Sequence, residues 1–242
     1  MPDATEPRIL LVPTLTEIEW KIAPLIAEWA EVATFDAPGV GDEPPVERLT
    51  PDAIVTRGLD EIDSRGWDRC VVAGDEYGAY TAVKLAAARP ESVAGLALGH
   101  ACLEYRATGE RAPVNGEVMR AFLSLASMDY PTYVRHLTQL TQDAFDDELA
   151  DEYLRRVPQE VTLELTRMIS ELGREPLEPI LRDLGVPLLL VKHEGCLGWT
   201  DEGYEDAVAA FPDAATLATK EKSSTDPAFV AGLREFCEGL GL

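Results

Sequence analysis

Histidine is scarce in this sequence, and long apolar runs are missing from it. The 242 residues contain three histidines, His100, His136 and His193. No cluster of histidine and cysteine has metal-ligand spacing, so we predict no metal site and no cofactor. No apolar run approaches the roughly 18–20 residues that a membrane-spanning helix needs. The first residues lack the basic and apolar regions of a secretory signal, so we expect a cytoplasmic protein with no membrane partner.

The cysteines indicate the cellular compartment, and the net charge indicates which classes of partner are excluded. The four cysteines form no Cys-x-x-Cys pair, which is typical of a cytosolic chain without structural disulfides. Cys70 and Cys237 lie in apolar runs, and we expect them to be buried thiols. The formal net charge of −23 opposes binding to nucleic acid or to an anionic membrane, because both would repel the chain. The expected partner is therefore a small-molecule substrate or ligand, or another protein.

Apolar runs of strand length alternate with helical patterns along most of the chain. Continuous rather than alternating hydrophobicity is typical of strands that are buried on both faces of a parallel sheet. Helices are predicted at about 17–30, 50–65, 77–89, 202–211 and 226–239. This alternation predicts an α/β fold with a doubly wound, mainly parallel sheet of about six strands. The predicted strands are Ile9–Val12, Val32–Phe35, Cys70–Ala73, Val93–Leu98, Pro187–Val191 and Ala215–Ala218.

The region 104–184 interrupts the alternation because it contains no strand-like run. Val161, Leu165, Met168 and Leu172 form a stripe with helical spacing, and prolines divide the region into several helices. We interpret it as a helical insertion that lies over the carboxyl edge of the sheet. The predicted division is a core of 1–103 and 185–242, with a helical cap of 104–184.

The segment Gly74-Asp75-Glu76-Tyr77-Gly78 joins a predicted strand to a predicted helix. A strand, a sharp turn flanked by glycines and a helix form the layout of the nucleophile elbow G-x-S-x-G, in which a serine sits on a strained turn. Here the glycine frame is intact, but Glu76 takes the place of the serine.

Together these segments resemble the α/β-hydrolase family over nearly the whole chain. Phe35–Gly41 is similar to the D-x-P-G-x-G turn of that family, and Ala88–Leu98 is similar to the passage that follows its elbow. The resemblance implies an α/β-hydrolase fold in which the insertion is a cap domain. It also implies that ligands bind between the cap and the core.

The resemblance implies positions for a Ser-His-Asp triad, and all three are substituted here. The nucleophile position is Glu76, the acid position falls on Cys196, and the histidine position falls on Ser224. The implied oxyanion-hole donors are the backbone N–H groups of Tyr77 and Leu15, which do not depend on the side chain. The sequence therefore predicts loss of Ser-His-Asp hydrolysis and retention of an anion-binding corner.

Glu76 is predicted to act with His100 as a catalytic pair. His100 ends the strand next to the elbow, and neighbouring strands lie about 4.8 Å apart, within reach of a carboxylate. His193 has the place of a framework histidine in the resemblance, and His136 falls on the cap as a structural residue.

Three functions remain open from the sequence. The first is a non-hydrolytic lyase, isomerase or cyclase that acts on a small hydrophobic carbonyl compound, with Glu76 as general acid or base. The second is an inactive pseudo-hydrolase that binds a small ligand or a partner protein. The third is a hydrolase with an unusual glutamate nucleophile.

Overall fold

Six strands form one sheet in the computed structural model, which describes residues 6–13, 20–99, 116–142, 147–172, 176–193, 201–221, 223 and 225–242. The strand order is β2-β1-β3-β4-β5-β6, and every neighbouring pair is parallel. Parallel neighbours need a crossover connection, which explains why helices separate the strands along the chain. The strands are β1 (Arg8–Leu11), β2 (Glu31–Thr34), β3 (Cys70–Asp75), β4 (Val93–Gly99), β5 (Leu188–His193) and β6 (Ala215–Thr219).

Helices cover both faces of this sheet, as a doubly wound fold requires. One face packs against α2 (Pro51–Ser64) and α3 (Tyr77–Ala88), and the other packs against α1 (Ala23–Ile26) and α10 (Pro227–Gly239). The strands β3 and β4 are buried along their whole length. The predicted fold class is therefore confirmed.

The described part of the region between β4 and β5 consists of helices and short connecting turns. Tyr130 Oη donates to the Val157 carbonyl at 2.7 Å, and Gln159 Nε2 donates to the Ala126 carbonyl at 2.7 Å, so these helices pack on one another. The helices are α4 (Gly116–Met128), α5 (Tyr130–Gln142), α6 (Asp147–Arg156), α7 (Gln159–Leu172) and α8 (Leu177–Leu184), and α9 (Asp201–Ala210) follows β5.

Two expectations from the sequence are wrong in detail. The helix predicted at 17–30 is helical only at α1 within its described residues. Pro24 lacks an N–H and fits only the first turn of a helix, which accounts for the start of α1 at Ala23. The strands β2 and β6 are the edges of the sheet and expose most of their side chains, so burial on both faces holds only for the inner strands. Cys70 and Cys237 are buried as expected.

No helix in the described part of the chain is long and apolar enough to cross a membrane.

Candidate active site

A strained turn lies at the carboxyl end of β3. Glu76 has φ 49° and ψ −112°, and it is the one non-glycine residue with a positive φ among those that the structure describes. Such a conformation costs on the order of 1–3 kcal/mol and persists only where the surroundings enforce it. Helix α3 begins at the next residue, Tyr77, so the chain reverses sharply from strand to helix. This backbone is the elbow that the glycine frame predicts.

The two glycines of the frame allow the chain to pass close to itself. A Cβ atom on Gly74 would overlap the carbonyl group of Gly78. A Cβ atom on Gly78 would lie 3.0 Å from the Val12 carbonyl oxygen and 3.2 Å from that of Pro13, in the segment that follows β1. Glycine is therefore needed at position 74, a larger residue at position 78 would crowd two carbonyl oxygens, and the turn packs directly on the end of β1.

The backbone N–H of Glu76 holds the turn against the neighbouring strand. It donates to the Gly99 carbonyl at 3.0 Å and to Asp75 Oδ1 at 3.0 Å. The Glu76 side chain is half-buried and forms no capping hydrogen bond to α3. The amino end of α3, where the helix dipole favours negative charge, is therefore not capped by this carboxylate.

Asp75 is a buried carboxylate directly before the elbow, with only 1% of its surface exposed. Its Oδ2 accepts a hydrogen bond from the Ser223 N–H at 3.1 Å, across 148 positions of sequence. Since β6 lies three places from β3 in the sheet, the chain after β6 runs back over the carboxyl ends of β5 and β4 to reach it. This contact was not predicted from the sequence, because a charged residue at the end of an apolar strand is unusual but does not identify its partner.

The loop after β6 is organised around a second carboxylate, that of Asp226. Its Oδ2 accepts from the N–H groups of Lys220 at 2.8 Å and Glu221 at 3.1 Å, and its Oδ1 caps α10 by accepting from Ala228 N–H at 2.8 Å. Burial alone would raise the pKa of Asp226, but these three N–H donors outweigh it, and the net pKa is lowered. Asp226 therefore holds the loop at its beginning, through Lys220 and Glu221, and at its end, where α10 begins.

Ser223 brings a buried hydroxyl group to this place. The residue is fully buried, and its Oγ has no hydrogen-bond partner among the described residues. A Cβ atom on Gly99 would lie 2.5 Å from Ser223 Oγ and 2.5 Å from Asp75 Oδ1. The three residues are therefore tightly packed, and only glycine fits at position 99.

The predicted site residues divide into two groups. Glu76 and Tyr77 lie together at the elbow. His100, Leu15, Cys196 and Ser224 lie outside the described residues, so the pairing of Glu76 with His100 stays a prediction. His193 is buried at the end of β5, and His136 is exposed on α5.

A second turn at the same edge of the sheet contains an ion pair. Asp36, in the turn after β2, accepts from Arg156 Nη2 through both carboxylate oxygens, at 2.8 and 2.7 Å. The Arg156 carbonyl accepts from the Gly41 N–H at 2.8 Å. These contacts attach α6 to the turn after β2, near the carboxyl end of that strand.

The described residues contain no group of three or more histidine, cysteine or acidic side chains that could hold a metal ion.

Comparison with solved structures identifies the class of fold. No protein-family model matches the chain, and no curated protein matches it in sequence. An enol-lactonase from Burkholderia xenovorans LB400 aligns over 98% of this chain and 94% of its own, with 18% identity and a TM-score of 0.77. A hydrolase from Oleispira antarctica aligns over 97% and 92%, with 12% identity and a TM-score of 0.79.

A further neighbour is the 2-hydroxy-6-oxo-6-phenylhexa-2,4-dienoate hydrolase from Rhodococcus sp. strain RHA1, at 15% identity and a TM-score of 0.75 over 98% of this chain and 92% of its own. The chain therefore has the α/β-hydrolase fold. Identities this low establish the fold alone.

Proposed function

We propose that this protein is a non-hydrolytic enzyme of the lyase, isomerase or cyclase type, in which Glu76 moves a proton to or from a small hydrophobic carbonyl compound. The observation that carries the proposal is the backbone of Glu76, with φ 49° and ψ −112°. A carboxylate in this position projects from the end of the strand rather than along the sheet. General acid–base catalysis needs a carboxyl group within hydrogen-bond reach of the proton that it moves, and the elbow would present Glu76 to a ligand at this edge of the sheet.

The surroundings of the elbow favour a substrate with a carbonyl oxygen. The amino end of α3 lies directly behind Glu76, and backbone N–H groups there stabilise negative charge that develops on an oxygen atom. We assign this role to the N–H groups of Tyr77 and Leu15. Proton removal next to a carbonyl group would place charge on that oxygen while Glu76 takes the proton.

The loop after β6 supports the loss of hydrolysis. We assign the histidine position of the α/β-hydrolase triad to this loop. Its residue Ser223 reaches Asp75 beside the elbow. Residues 223 and 224 are serines, and Ser223 is fully buried. Neither side chain has an imidazole group, so neither can act as a histidine base that activates water. With Cys196 at the acid position, the proposed site has a carboxylic acid and no triad.

We assign the ligand to the space between core (1–103 and 185–242) and cap (104–184). The contacts of Arg156 with Asp36 and Gly41 support this division, because they attach α6 beside the carboxyl end of β2. Ligands of open α/β sheets bind at the carboxyl ends of the strands.

Deuterium exchange tests the proposal without knowledge of the natural substrate. Acetone, cyclohexanone and phenylacetone are incubated with the protein in D₂O, and loss of the α-proton signal is followed by NMR. We expect exchange above the buffer rate, which Glu76→Gln lowers by about 10²–10⁴-fold. Glu91→Gln makes the same charge change at the opposite edge of the sheet and should leave the rate unchanged. Equal rates in Glu76→Gln and in the unmodified protein would exclude Glu76 as the acid or base.

The pseudo-hydrolase is the second candidate, and the burial of Ser223 favours it. The loop that carries catalytic histidine in the proposed mapping is here folded onto Asp75 and fixed by Asp226. Native mass spectrometry of protein from its source cells should then find a retained ligand, together with no exchange of any ketone probe.

A glutamate nucleophile is the third candidate, and it makes a different covalent prediction. It requires an ester on Glu76, which intact-protein mass spectrometry after brief incubation with a haloalkane or epoxide would detect. We expect no such adduct. We also expect no labelling by serine-directed phosphonates and no turnover of short-chain nitrophenyl esters, in the unmodified protein or in Glu76→Ser.

A further inference from the structure

Asp75 joins two segments that meet only in the folded chain. It accepts one hydrogen bond from the elbow N–H of Glu76 and one from the Ser223 N–H in the loop after β6. We propose that Asp75 is a positioning residue, which fixes the elbow and this loop relative to each other and thereby fixes Glu76. The catalytic consequence of the inference rests on the function proposed above, whereas the structural link does not.

Burial makes this link costly to break. Asp75 is 1% exposed, and a buried carboxylate needs hydrogen-bond donors to offset the loss of its hydration. The N–H groups of residues 76 and 223 supply two of them, at 3.0 and 3.1 Å. The Ser223 N–H has this carboxylate as its acceptor, whereas the Glu76 N–H is shared between Asp75 Oδ1 and the Gly99 carbonyl. The link between the elbow and the loop after β6 therefore depends on the Asp75 carboxylate, while the elbow has a second hold on β4.

Packing fixes the orientation of this carboxylate. The backbone of Gly99, which is the register partner of Asp75 on β4, lies so close that a Cβ atom there would be 2.5 Å from Asp75 Oδ1. Ser223 Oγ would be equally close to that Cβ atom. Asp75 Oδ1 therefore occupies the space that a side chain at position 99 would fill, and β4 restricts the carboxylate on that side.

Asparagine is the sharpest probe, because it has nearly the same shape. An asparagine amide presents one oxygen and one NH₂ group, so it accepts from one N–H group and confronts the other with a donor. Asp75→Asn should thus break one link and misplace Glu76. A misplacement of about 1 Å at a catalytic group lowers a rate by up to about 100-fold.

The test compares Asp75→Asn with Asp226→Asn, which makes the same charge change at the other anchor of the same loop. Amide exchange at residues 76 and 223 is measured by NMR, together with the side-chain carboxyl ¹³C signal of Glu76. We expect Asp75→Asn to lose protection at one or both amides and to shift the Glu76 signal. Asp226→Asn should lose protection at residues 220 and 221 and leave the Glu76 signal in place.

Kinetics of ketone exchange give the second readout. We expect Asp75→Asn to lower kcat by about 10–100-fold while KM stays within about twofold, since proton transfer rather than binding is affected. Unchanged protection at both amides in Asp75→Asn, or an equal shift of the Glu76 signal in Asp226→Asn, would overturn the inference. If the unmodified protein exchanges no ketone, the proposed function fails, and the amide and ¹³C measurements alone decide the role of Asp75.

Discussion

The two turns at the carboxyl edge of the sheet differ in where they place strain and charge. In the turn after β2, glycines take the left-handed conformations, with φ 83° at Gly39 and φ 59° at Gly41. The carboxylate of that turn, Asp36, is bound to Arg156. In the elbow after β3, the strained residue is Glu76 itself, with φ 49°.

This difference separates an attachment point from a candidate catalytic site. A glycine in the left-handed region adds little strain, and a carboxylate paired with arginine is committed to that contact. A glutamate in the same region costs free energy that a glycine would avoid. We infer that the turn after β2 attaches the helical region, whereas the elbow holds a functional side chain.

The largest expected effect is that of filling the elbow with a methyl group. Gly74→Ala places a Cβ atom onto the backbone of Gly78, which cannot move without moving α3, so we expect a loss of about 3 kcal/mol or more in unfolding free energy. Gly39→Ala in the other turn meets a methyl group of Val161 rather than backbone, and it should cost about 1–3 kcal/mol.

Urea unfolding of both variants measures this difference. Gly66→Ala is the control, because a Cβ atom there meets nothing within 4 Å and only its positive φ is strained. It should cost about 1–2 kcal/mol. A Gly74→Ala protein as stable as Gly66→Ala would show that the elbow is not closely packed.

Much of the elbow was predictable from sequence, because its signals are local. Three signals follow one another directly in the sequence: the apolar run of β3, the two glycines of the frame and the helix that comes next. Each of them restricts the backbone by itself. The contacts of Asp75 with Ser223 and of Asp36 with Arg156 span 148 and 120 positions. No pattern along the chain reports such distant partners, so both were missed.

The order of the strands in the sheet also could not be predicted from the sequence. The runs that form β2 and β6 are as apolar as an inner strand requires, yet strand order makes them edges with exposed side chains. The late start of α1 has a local cause in Pro24, which the apolar pattern at 17–30 concealed.

The second effect concerns the ion pair of the turn after β2. The side chains of Arg156 and Asp36 are 18% and 24% exposed, so Arg156→Ala leaves a largely buried carboxylate without its arginine. We expect a loss of about 1–3 kcal/mol in unfolding free energy. Arg182→Ala removes an exposed helical pair with Glu178 and a contact of the guanidinium with the Phe211 ring, and it should cost about 0.5–1.5 kcal/mol, of which the ion pair contributes about 0.3–0.5 kcal/mol.

A double-mutant cycle with Asp36→Asn isolates the pair from the rest of the Arg156 side chain. A coupling free energy no larger than that of the exposed Arg182–Glu178 pair would show that this contact does not attach α6 to the turn.

The third effect is a gain in stability at the elbow with a loss of function. Glu76→Gly relieves the positive φ, and the relief of about 1–2 kcal/mol exceeds the greater chain entropy of unfolded glycine, about 0.5–1 kcal/mol. Glu76→Ala keeps the strain and should leave stability near that of the unmodified protein. Both variants should lack ketone exchange. Thermal unfolding measures the difference, and a Glu76→Gly protein less stable than Glu76→Ala would contradict strain at this residue.

The smallest expected effect comes from one hydroxyl group in the loop after β6, next to the elbow. Ser223 Oγ is fully buried and has no partner among the described residues, so Ser223→Ala removes an uncompensated polar atom while keeping the backbone N–H that Asp75 accepts. We expect a gain of about 0.5–1 kcal/mol in unfolding free energy, because the cost of burying that atom is relieved. Thr138→Val is the matched control, since Thr138 Oγ1 is equally buried but donates to the Val134 carbonyl at 3.1 Å. Its removal should lower stability by about 0.5–1 kcal/mol. If Ser223→Ala lowers the urea midpoint as Thr138→Val does, Ser223 Oγ has a partner in solution, and the loop after β6 is held to the elbow by more than the contact with Asp75.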